Sequence, residues 1–344
     1  MGEQKKEIQV WICRLRIVAT LAVVMIHTCA TRLYCGYDMT TAQSLFLNIL
    51  QTLCVFSIPM FLMITGSLLL RPEKEITYGM CLKKYIARIA ACLFLFGAVY
   101  GVMKMYWTYA KVGVGKSFVD NVLYGFVSGE TSIHFWYLYA LIGIYMILPI
   151  LKAFVNGDKD GKNIRWALLL LLTFDFVTPL IEGYTGAKIA FYIPVTYTVF
   201  YPLLGYYLSR HQRIGIKIDI AAIIVVVAIL VMADVGGTDE GRIISYSSPF
   251  AAVLAAAIFD LFRHTKSGGG NVALLWKIDR LCFGVYLIHP IFISLLFWIF
   301  GLTPVSFGGF YPLTTIGLWL AYCLCSFAGT WVMVQIPFLK RLLR

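Results

Sequence analysis

The sequence predicts an all-α, polytopic integral membrane protein that crosses the membrane about ten times. Hydrophobic residues make up 60% of the 344-residue chain, and charged residues make up 13%. Soluble domains average about 45–50% apolar and about 25% charged residues, so this excess is too large for one or two soluble cores. The same composition excludes disordered chains, collagen and small disulfide scaffolds.

Ten apolar stretches are long enough to be spans, because a helix needs about 20 mostly apolar residues to cross about 30 Å of hydrocarbon. In chain order, the predicted spans cover roughly residues 12–30, 44–70, 82–106, 135–152, 165–181, 190–208, 217–234, 244–262, 281–301 and 311–336. These spans leave no stretch for a soluble domain. Residues 1–344 are therefore predicted to form a single membrane domain.

The distribution of positive charge predicts the orientation of the chain. The net charge is +12, from 29 Lys and Arg residues against 17 Asp and Glu residues. If the N-terminus is cytoplasmic, most Lys and Arg residues fall on the cytoplasmic side, as in other membrane proteins. The exceptions are Arg32, Lys104, Lys111, Lys116, Lys188 and Arg242. The sequence thus predicts cytoplasmic termini, and it indicates membrane lipids rather than nucleic acid as the partner of this charge.

The first predicted span carries the strongest candidate for chemistry, since ionisable groups inside a span are costly and indicate function by default. His27 follows Arg16 by eleven residues, which is about 16 Å along a helix and about 20° around it. One helix face therefore presents a cation at the cytoplasmic end and an imidazole deep in the bilayer. His27 is predicted to be a general base. The alternative is structural, with Arg16 reaching the headgroups and His27 bonding a neighbouring helix.

A second basic group opens the third predicted span. Lys84 and Arg88 are four residues apart and share a helix face, whereas Lys83 points elsewhere. Together with Arg16, they predict a site for a phosphorylated ligand, because Lys and Arg pair with phosphate oxygens. The alternative is ordinary anchoring of the cytoplasmic side.

Further polar residues in or near the spans allow two interpretations each. His134 and Trp136, near the outer end of the fourth span, either orient an acceptor sugar or belong to the interfacial aromatic belt. His289 precedes Pro290, so it either lines a cavity at a kink or bonds the carbonyl that proline frees. Asp175 must be protonated or paired with an unidentified partner. No residues have the spacing of a metal site, so none is predicted.

Six segments resemble, in order and spacing, the acyltransferase-3 family of integral membrane acyltransferases. The Arg16-x10-His27 spacing is that family's signature. The similar segments are CRLRIVATLAVVMIH (13–27), FSIPMFLMITGSLLL (56–70), LKKYIARI (82–89), HFWYLYALIGIYMILPIL (134–151), YPLLGYYLSR (201–210) and FGVYLIHPIF (283–292).

The resemblance implies a plasma-membrane O-acyltransferase. Such an enzyme moves an acyl group, usually acetyl, from a cytoplasmic acyl-CoA, usually acetyl-CoA, to a hydroxyl of a cell-envelope saccharide or lipid-linked glycan at the outer face. The resemblance also implies that His27 is catalytic with Arg16 as its motif partner, and that Lys84 and Arg88 contact the CoA phosphates. Lys84 departs from the family, which more often has Arg there, so a point charge replaces a bidentate fork.

A second similarity implies a different function. The chain is also similar to the membrane domain of serine racemases of the resistance type. This similarity implies an alternative, namely a transport or substrate-delivery module, for example for serine, that keeps the fold without acyl transfer.

Overall fold

The computed structural model describes residues 2–35, 39–112, 125–129, 132–190, 196–211, 214–237, 243–265 and 271–343. Every regular element among these residues is helical, which confirms the predicted fold class. The chain forms two compact units. The first unit contains Met1–Arg71 and Asp158–Val332, and the second contains Pro72–Gly157 and Met333–Arg344.

The α-helices follow one another as α1 Gly2–Cys35, α2 Thr41–Leu53, α3 Ser57–Leu69, α4 Tyr78–Met80, α5 Ala87–Val112, α6 Gly125–Ser128, α7 Trp136–Gly157, α8 Lys162–Leu171, α9 Thr178–Thr185, α10 Tyr197–Arg210, α11 Ile216–Val235, α12 Pro249–Arg263, α13 Val272–Asp279, α14 Cys282–Phe300, α15 Tyr311–Met333 and α16 Pro337–Leu343. Two π-helical segments, Cys81–Ile86 and Leu172–Val177, connect α4 to α5 and α8 to α9. Short 3-10 turns, Ile133–Phe135 and Gly308–Phe310, precede α7 and α15.

Eight helical stretches in the described chain are long and apolar enough to cross a membrane. They are Val10–Thr31, Thr41–Leu69, Tyr78–Tyr106, Ile133–Gly157, Lys162–Thr185, Ile216–Val235, Cys282–Phe300 and Gly308–Met333. Each coincides with a predicted span. The other two predicted spans, 190–208 and 244–262, correspond to α10 with 14 residues and α12 with 15 residues. Residues 191–195 lie outside the described part.

The length of α10 and α12 separates them from the other spans. At about 1.5 Å per residue, each is roughly 21–23 Å long, less than the approximately 30 Å of a hydrocarbon core. The predicted count of ten spans and the predicted cytoplasmic termini therefore stay predictions.

The second predicted span, 44–70, is divided in the structure into α2 and α3. Thr40 begins α2 with a capping box, in which its hydroxyl accepts from the Gln43 amide and the Gln43 side chain accepts from the Thr40 amide. Such a pair satisfies two amides that a helix start leaves without partners. Pro59 has no N–H to donate back to the preceding turn, so the helix breaks before Ser57.

Two glycines bring α3 and α10 into direct backbone contact at the centre of the first unit. A Cβ atom on Gly66 would lie 1.9 Å from the carbonyl oxygen of Pro202, and one on Gly205 would lie 2.2 Å from that of Met63. Both distances are far inside van der Waals contact. Glycine is therefore required at these positions by space, as in other closely packed membrane helices.

Helices α11 and α12 pack as an antiparallel pair within the same unit. Their facing side chains, among them Leu230, Ala251 and Leu254, form one buried cluster with Val55 from the α2–α3 break. The hydroxyl of Thr52 donates to the Asp234 carboxylate over 2.7 Å. This contact gives an acidic side chain of α11 a polar partner from α2.

Replacing Gly66 with alanine should lower the free energy of unfolding by about 1–3 kcal/mol or more, because the added methyl group overlaps the Pro202 backbone. Gly317 of α15 is the matched control, since a Cβ there would meet no described atom within 4 Å. Gly317→Ala should preserve stability or raise it by up to about 1 kcal/mol. Thermal unfolding in detergent distinguishes the two variants. Equal melting temperatures would contradict the close α3–α10 contact.

Candidate active site

Arg16 of α1 is held by an ion pair with Asp279, the last residue of α13. One guanidinium nitrogen, Nη1, donates to both carboxylate oxygens of Asp279, each over 2.7 Å. The side chains are 27% and 11% exposed, so the pair is mostly shielded from solvent. Charge-assisted hydrogen bonds of this kind are among the stronger contacts in proteins. Arg16 is thereby fixed against α13.

His27, further along α1, packs against His289 of α14. The centroids of the two imidazole rings lie 4.9 Å apart, and the ring planes are inclined by 52°. His289 is fully buried, whereas His27 is partly exposed. Because Arg16 and His27 contact consecutive helices, α13 and α14, they lie along one side of α1. These contacts agree with the predicted shared face, which stays a prediction.

His289 takes the hydrogen bond that Pro290 leaves open. A proline at this position cannot donate to the carbonyl of Tyr286, four residues earlier. The Nδ1 atom of His289 lies 2.8 Å from that oxygen and 3.1 Å from the carbonyl oxygen of Val285. Since carbonyl oxygens only accept, Nδ1 carries the proton, and the lone pair of the neutral ring lies on Nε2. Of the two interpretations of His289, the structure shows the bond to the freed carbonyl.

Helix α15 holds α1 and α14 in place around this pair. The indole Nε1 of Trp319 donates to the backbone carbonyl of Leu21 on α1 over 3.0 Å. A Cβ atom on Gly284 of α14 would lie 2.3 Å from the methyl carbon of Thr330, so α14 and α15 approach closely there. The two histidines thus lie on helices with little freedom to shift.

This arrangement can perform proton transfer. A neutral imidazole whose Nδ1–H is committed to the backbone presents only an acceptor at Nε2. His289 is such a ring, and together with the His27 ring that it contacts it can take a proton from a hydroxyl and share the resulting positive charge. The hydroxyls of Thr20, Thr28 and Thr31 bond to carbonyl oxygens one turn earlier on α1 and do not compete for this role.

Lys84 and Arg88 belong to the second unit. Lys84 lies in the π-helical segment Cys81–Ile86. The shared face of Lys84 and Arg88 was predicted for an α-helix, and the i→i+5 hydrogen bonds of a π-helix change the angle between residues. Its ammonium nitrogen lies 5.9 Å from the centre of the Tyr85 ring, and that of Lys74 lies 5.6 Å from the same centre. Lys84 is exposed and Arg88 is partly buried. Positive charge is therefore concentrated around Tyr85.

His134 and Trp136 also lie in the second unit, where α7 begins. His134 is 2% exposed, and its Nδ1 lies 2.7 Å from the Ser132 hydroxyl. Its ring meets the Tyr100 ring edge to face, with centroids 5.3 Å apart. Trp136 is partly exposed. Hence His134 is part of a packed aromatic group, and Trp136 has the greater access to a ligand.

Asp175 lies in the first unit, within the π-helical segment Leu172–Val177. Its Oδ2 atom is buried and has no hydrogen-bond partner among the described residues. Asp175 was predicted to be protonated or paired, and no hydrogen-bond partner for Oδ2 is found in that part of the chain. A π-helical turn inside a span is a frequent feature of functional sites.

Asp279 is the site residue that sequence reasoning missed. It lies close to Lys277 and Arg280 in the basic segment that precedes the predicted span 281–301. Nothing in that segment distinguished it as a site residue. The available signal was its position ten residues before His289, which parallels the eleven residues between Arg16 and His27. Only the folded chain shows that these two intervals run side by side.

The chain matches a known protein family. A family model described as an acyltransferase domain matches residues 9–335, essentially the whole chain. No curated protein and no solved structure matches the chain. The matched range includes both the Arg16–Asp279 pair and the two contacting histidines.

Replacing Asp279 with asparagine should lower the free energy of unfolding by about 1.5–3 kcal/mol, because it leaves a partly buried guanidinium without its counter-charge. Lys277→Ala is the matched control on the same short helix. Lys277 is exposed, so its removal should change stability by less than about 0.5 kcal/mol. Unfolding in detergent measures both. If the two variants unfold alike, the Arg16–Asp279 pair does not hold α1 in solution.

Proposed function

The chain belongs to the acyltransferase-3 family, and from this premise we propose that it is a plasma-membrane O-acyltransferase. It transfers an acetyl group from cytoplasmic acetyl-CoA to a hydroxyl of a cell-envelope saccharide or lipid-linked glycan at the outer face. In this proposal α10 and α12 complete ten spans, and both termini are cytoplasmic. The observation that carries the proposal is the contact between His27 and His289 on the side of α1 that also holds Arg16.

His27 is the proposed general base. It takes the proton of the acceptor hydroxyl as the hydroxyl oxygen attacks the thioester carbonyl carbon. The carbon–sulfur bond then breaks, and the CoA sulfur leaves with the proton that His27 has gained. An ester and free CoA are formed, and His27 returns to its neutral state. This sequence needs no metal ion.

His289, whose ring contacts that of His27, supports this role. Its Nδ1–H is committed to the carbonyl oxygens of Val285 and Tyr286, so only its Nε2 lone pair can face a forming positive charge. A lone pair close to His27 stabilises the imidazolium that appears during proton transfer. His289 is thus a positioning residue in this proposal, and His27 is the catalytic one.

Arg16 and the second basic group have different proposed tasks. The ion pair with Asp279 supports a positioning role for Arg16, which fixes the rotation of α1 and so the direction of the His27 ring. Its predicted contact with CoA stays a prediction. The positive charge around Tyr85, from Lys74 and Lys84, supports binding of the CoA phosphates near Lys84 and Arg88.

The acceptor is proposed to contact Trp136, with His134 as a positioning residue beside it. The exposure of Trp136 supports stacking on a sugar ring. His134 is buried against Tyr100, which supports a role in holding the start of α7 rather than in touching the sugar directly.

Acetyl transfer is tested directly with the full-length protein in membranes. Labelled acetyl-CoA is supplied with an isolated cell-envelope glycan fraction, and acetyl incorporation and free CoA thiol are measured together. We expect both products in equal amounts. Uptake of labelled serine into proteoliposomes without thiol release would instead establish the transport alternative.

Replacing His27 with alanine should lower turnover by at least about 10²–10⁴-fold, the contribution of a general base. Acetyl-CoA binding should be unchanged, because the proposed role of His27 is chemical. His211→Gln is the control, since His211 lies after α10 and takes no part in the proposed reaction. Turnover and binding are measured on the same preparations. Wild-type turnover in His27→Ala would transfer the base assignment to His289 or His134.

Replacing Lys84 or Arg88 with alanine should weaken acetyl-CoA binding roughly ten- to a hundredfold, the effect of losing one charge-assisted contact. The effect should shrink as salt rises, because screening weakens such contacts at a wet surface. Lys83→Ala is the control, with the same charge one residue away. Lys84→Arg should preserve or improve affinity by supplying a fork. Equal losses at all three positions would indicate general anchoring instead of a CoA site.

A further inference from the structure

Three metal-ligating side chains meet in the first unit, outside the proposed active site. Asp219 lies near the start of α11, Asp260 lies near the end of α12, and His264 directly follows α12. One ligand atom from each lies within 4.8 Å of the others. Asp219 and Asp260 are 1% and 0% exposed. These residues are 41 and 4 positions apart in sequence, which explains why their spacing predicted no metal site.

Asp260 is held firmly by groups that orient it. The backbone amide of Ile214 donates to its Oδ2 over 2.8 Å. Arg263 donates from Nη1 to its Oδ1 over 2.6 Å, and from Nη2 to the carbonyl oxygen of His211 over 2.9 Å. Arg263 therefore balances the charge of Asp260 and fixes its direction. Ligands of bound metals are commonly oriented by such outer contacts.

Asp219 has no comparable support. Its Oδ2 is buried and lacks a hydrogen-bond partner among the described residues, as does the Nε2 of His264. His264 Nε2 lies 3.7 Å from Asp219 Oδ2 and 3.6 Å from Asp260 Oδ2, which is too long for a hydrogen bond to either. Two buried carboxylates beside a single imidazole are costly unless enough positive charge lies between them. The imidazole thus faces a gap between two carboxylate oxygens.

We propose that Asp219, Asp260 and His264 bind a divalent transition-metal ion of the Zn²⁺ type. Tetrahedral Zn²⁺ has ligands at about 2.0–2.2 Å, which places neighbouring ligand atoms about 3.3–3.6 Å apart. The two distances from His264 Nε2 are close to this range. In this proposal the ion places a fixed positive charge between the two carboxylates. An imidazole ligand favours Zn²⁺ over Mg²⁺ or Ca²⁺, which prefer oxygen alone.

The proposed ion joins the start of α11 to the end of α12. These helices pack against each other, and Asp219 and Asp260 lie at the same end of the packed pair. An ion bound there links the two helices at that end. The ion is therefore structural in this proposal, and its removal should loosen the α11–α12 pair. This inference does not depend on the proposed acetyl transfer, because its test measures metal content and unfolding.

The test uses the full-length protein in detergent, purified without a polyhistidine tag. After EDTA treatment and re-equilibration with ZnCl2, we expect about one zinc ion per chain, measured by inductively coupled plasma mass spectrometry. We also expect EDTA to lower the melting temperature and zinc, but not MgCl2, to restore it. This measurement on the unaltered protein needs no variant. Absence of both zinc uptake and zinc-dependent stabilisation would overturn the proposal.

Variants then assign the ligands. Asp219→Asn and His264→Gln should each weaken zinc binding by at least about a hundredfold, since loss of an outer contact alone costs ten- to a hundredfold. His211→Gln is the control, because His211 contributes only a backbone oxygen to the cluster. Zinc binding like that of the unaltered protein in Asp219→Asn and His264→Gln would place the ion elsewhere. The proposal would also be overturned if Asp219→Asn raised the melting temperature and zinc had no effect on the unaltered protein. The cluster would then hold a proton instead of a metal ion.

Discussion

The ion pair between Arg16 and Asp279 is the constraint on which the proposed active site depends. A partly buried guanidinium in an apolar span needs a partner, because leaving it unpaired costs about 1.5–3 kcal/mol. Asp279 supplies that partner with both carboxylate oxygens. The contact fixes the rotation of α1 against α13 and α14, and so the contact of His27 with His289 follows. A small rotation of α1 would separate both pairs at once.

The helical fold was predictable because it depends on local properties. Composition and the length of apolar runs suffice to identify eight long helices, since a membrane span is defined by length and polarity. The division of the second span was not predicted, although Pro59 is the cause of it. The short lengths of α10 and α12 were also missed. The interior position of α10 depends on close contacts such as that of Gly66 with Pro202, which an apolar run does not reveal.

Only the part of the candidate site that lies on α1 was predictable from the sequence. The spacing of Arg16 and His27 indicates a shared face, and the structure places partners along it. The partners themselves come from far along the chain, so spacing could not identify Asp279. The cluster of Asp219, Asp260 and His264 was missed for the same reason, since it forms only when α11 and α12 pack. Sequence thus revealed the chemistry of single helices and not the contacts between them.

The sequence distance between Arg16 and Asp279 has a consequence for biosynthesis. The two residues are separated by 263 positions, and the first unit closes only after the second unit's residues 72–157 have been made. At a synthesis rate of about 5–20 residues per second, Asp279 leaves the ribosome about 13–53 s after Arg16. During that interval Arg16 has been synthesised but Asp279 has not, so the two side chains cannot pair. The Arg16–Asp279 pair, and with it this side of the first unit, therefore forms late in translation.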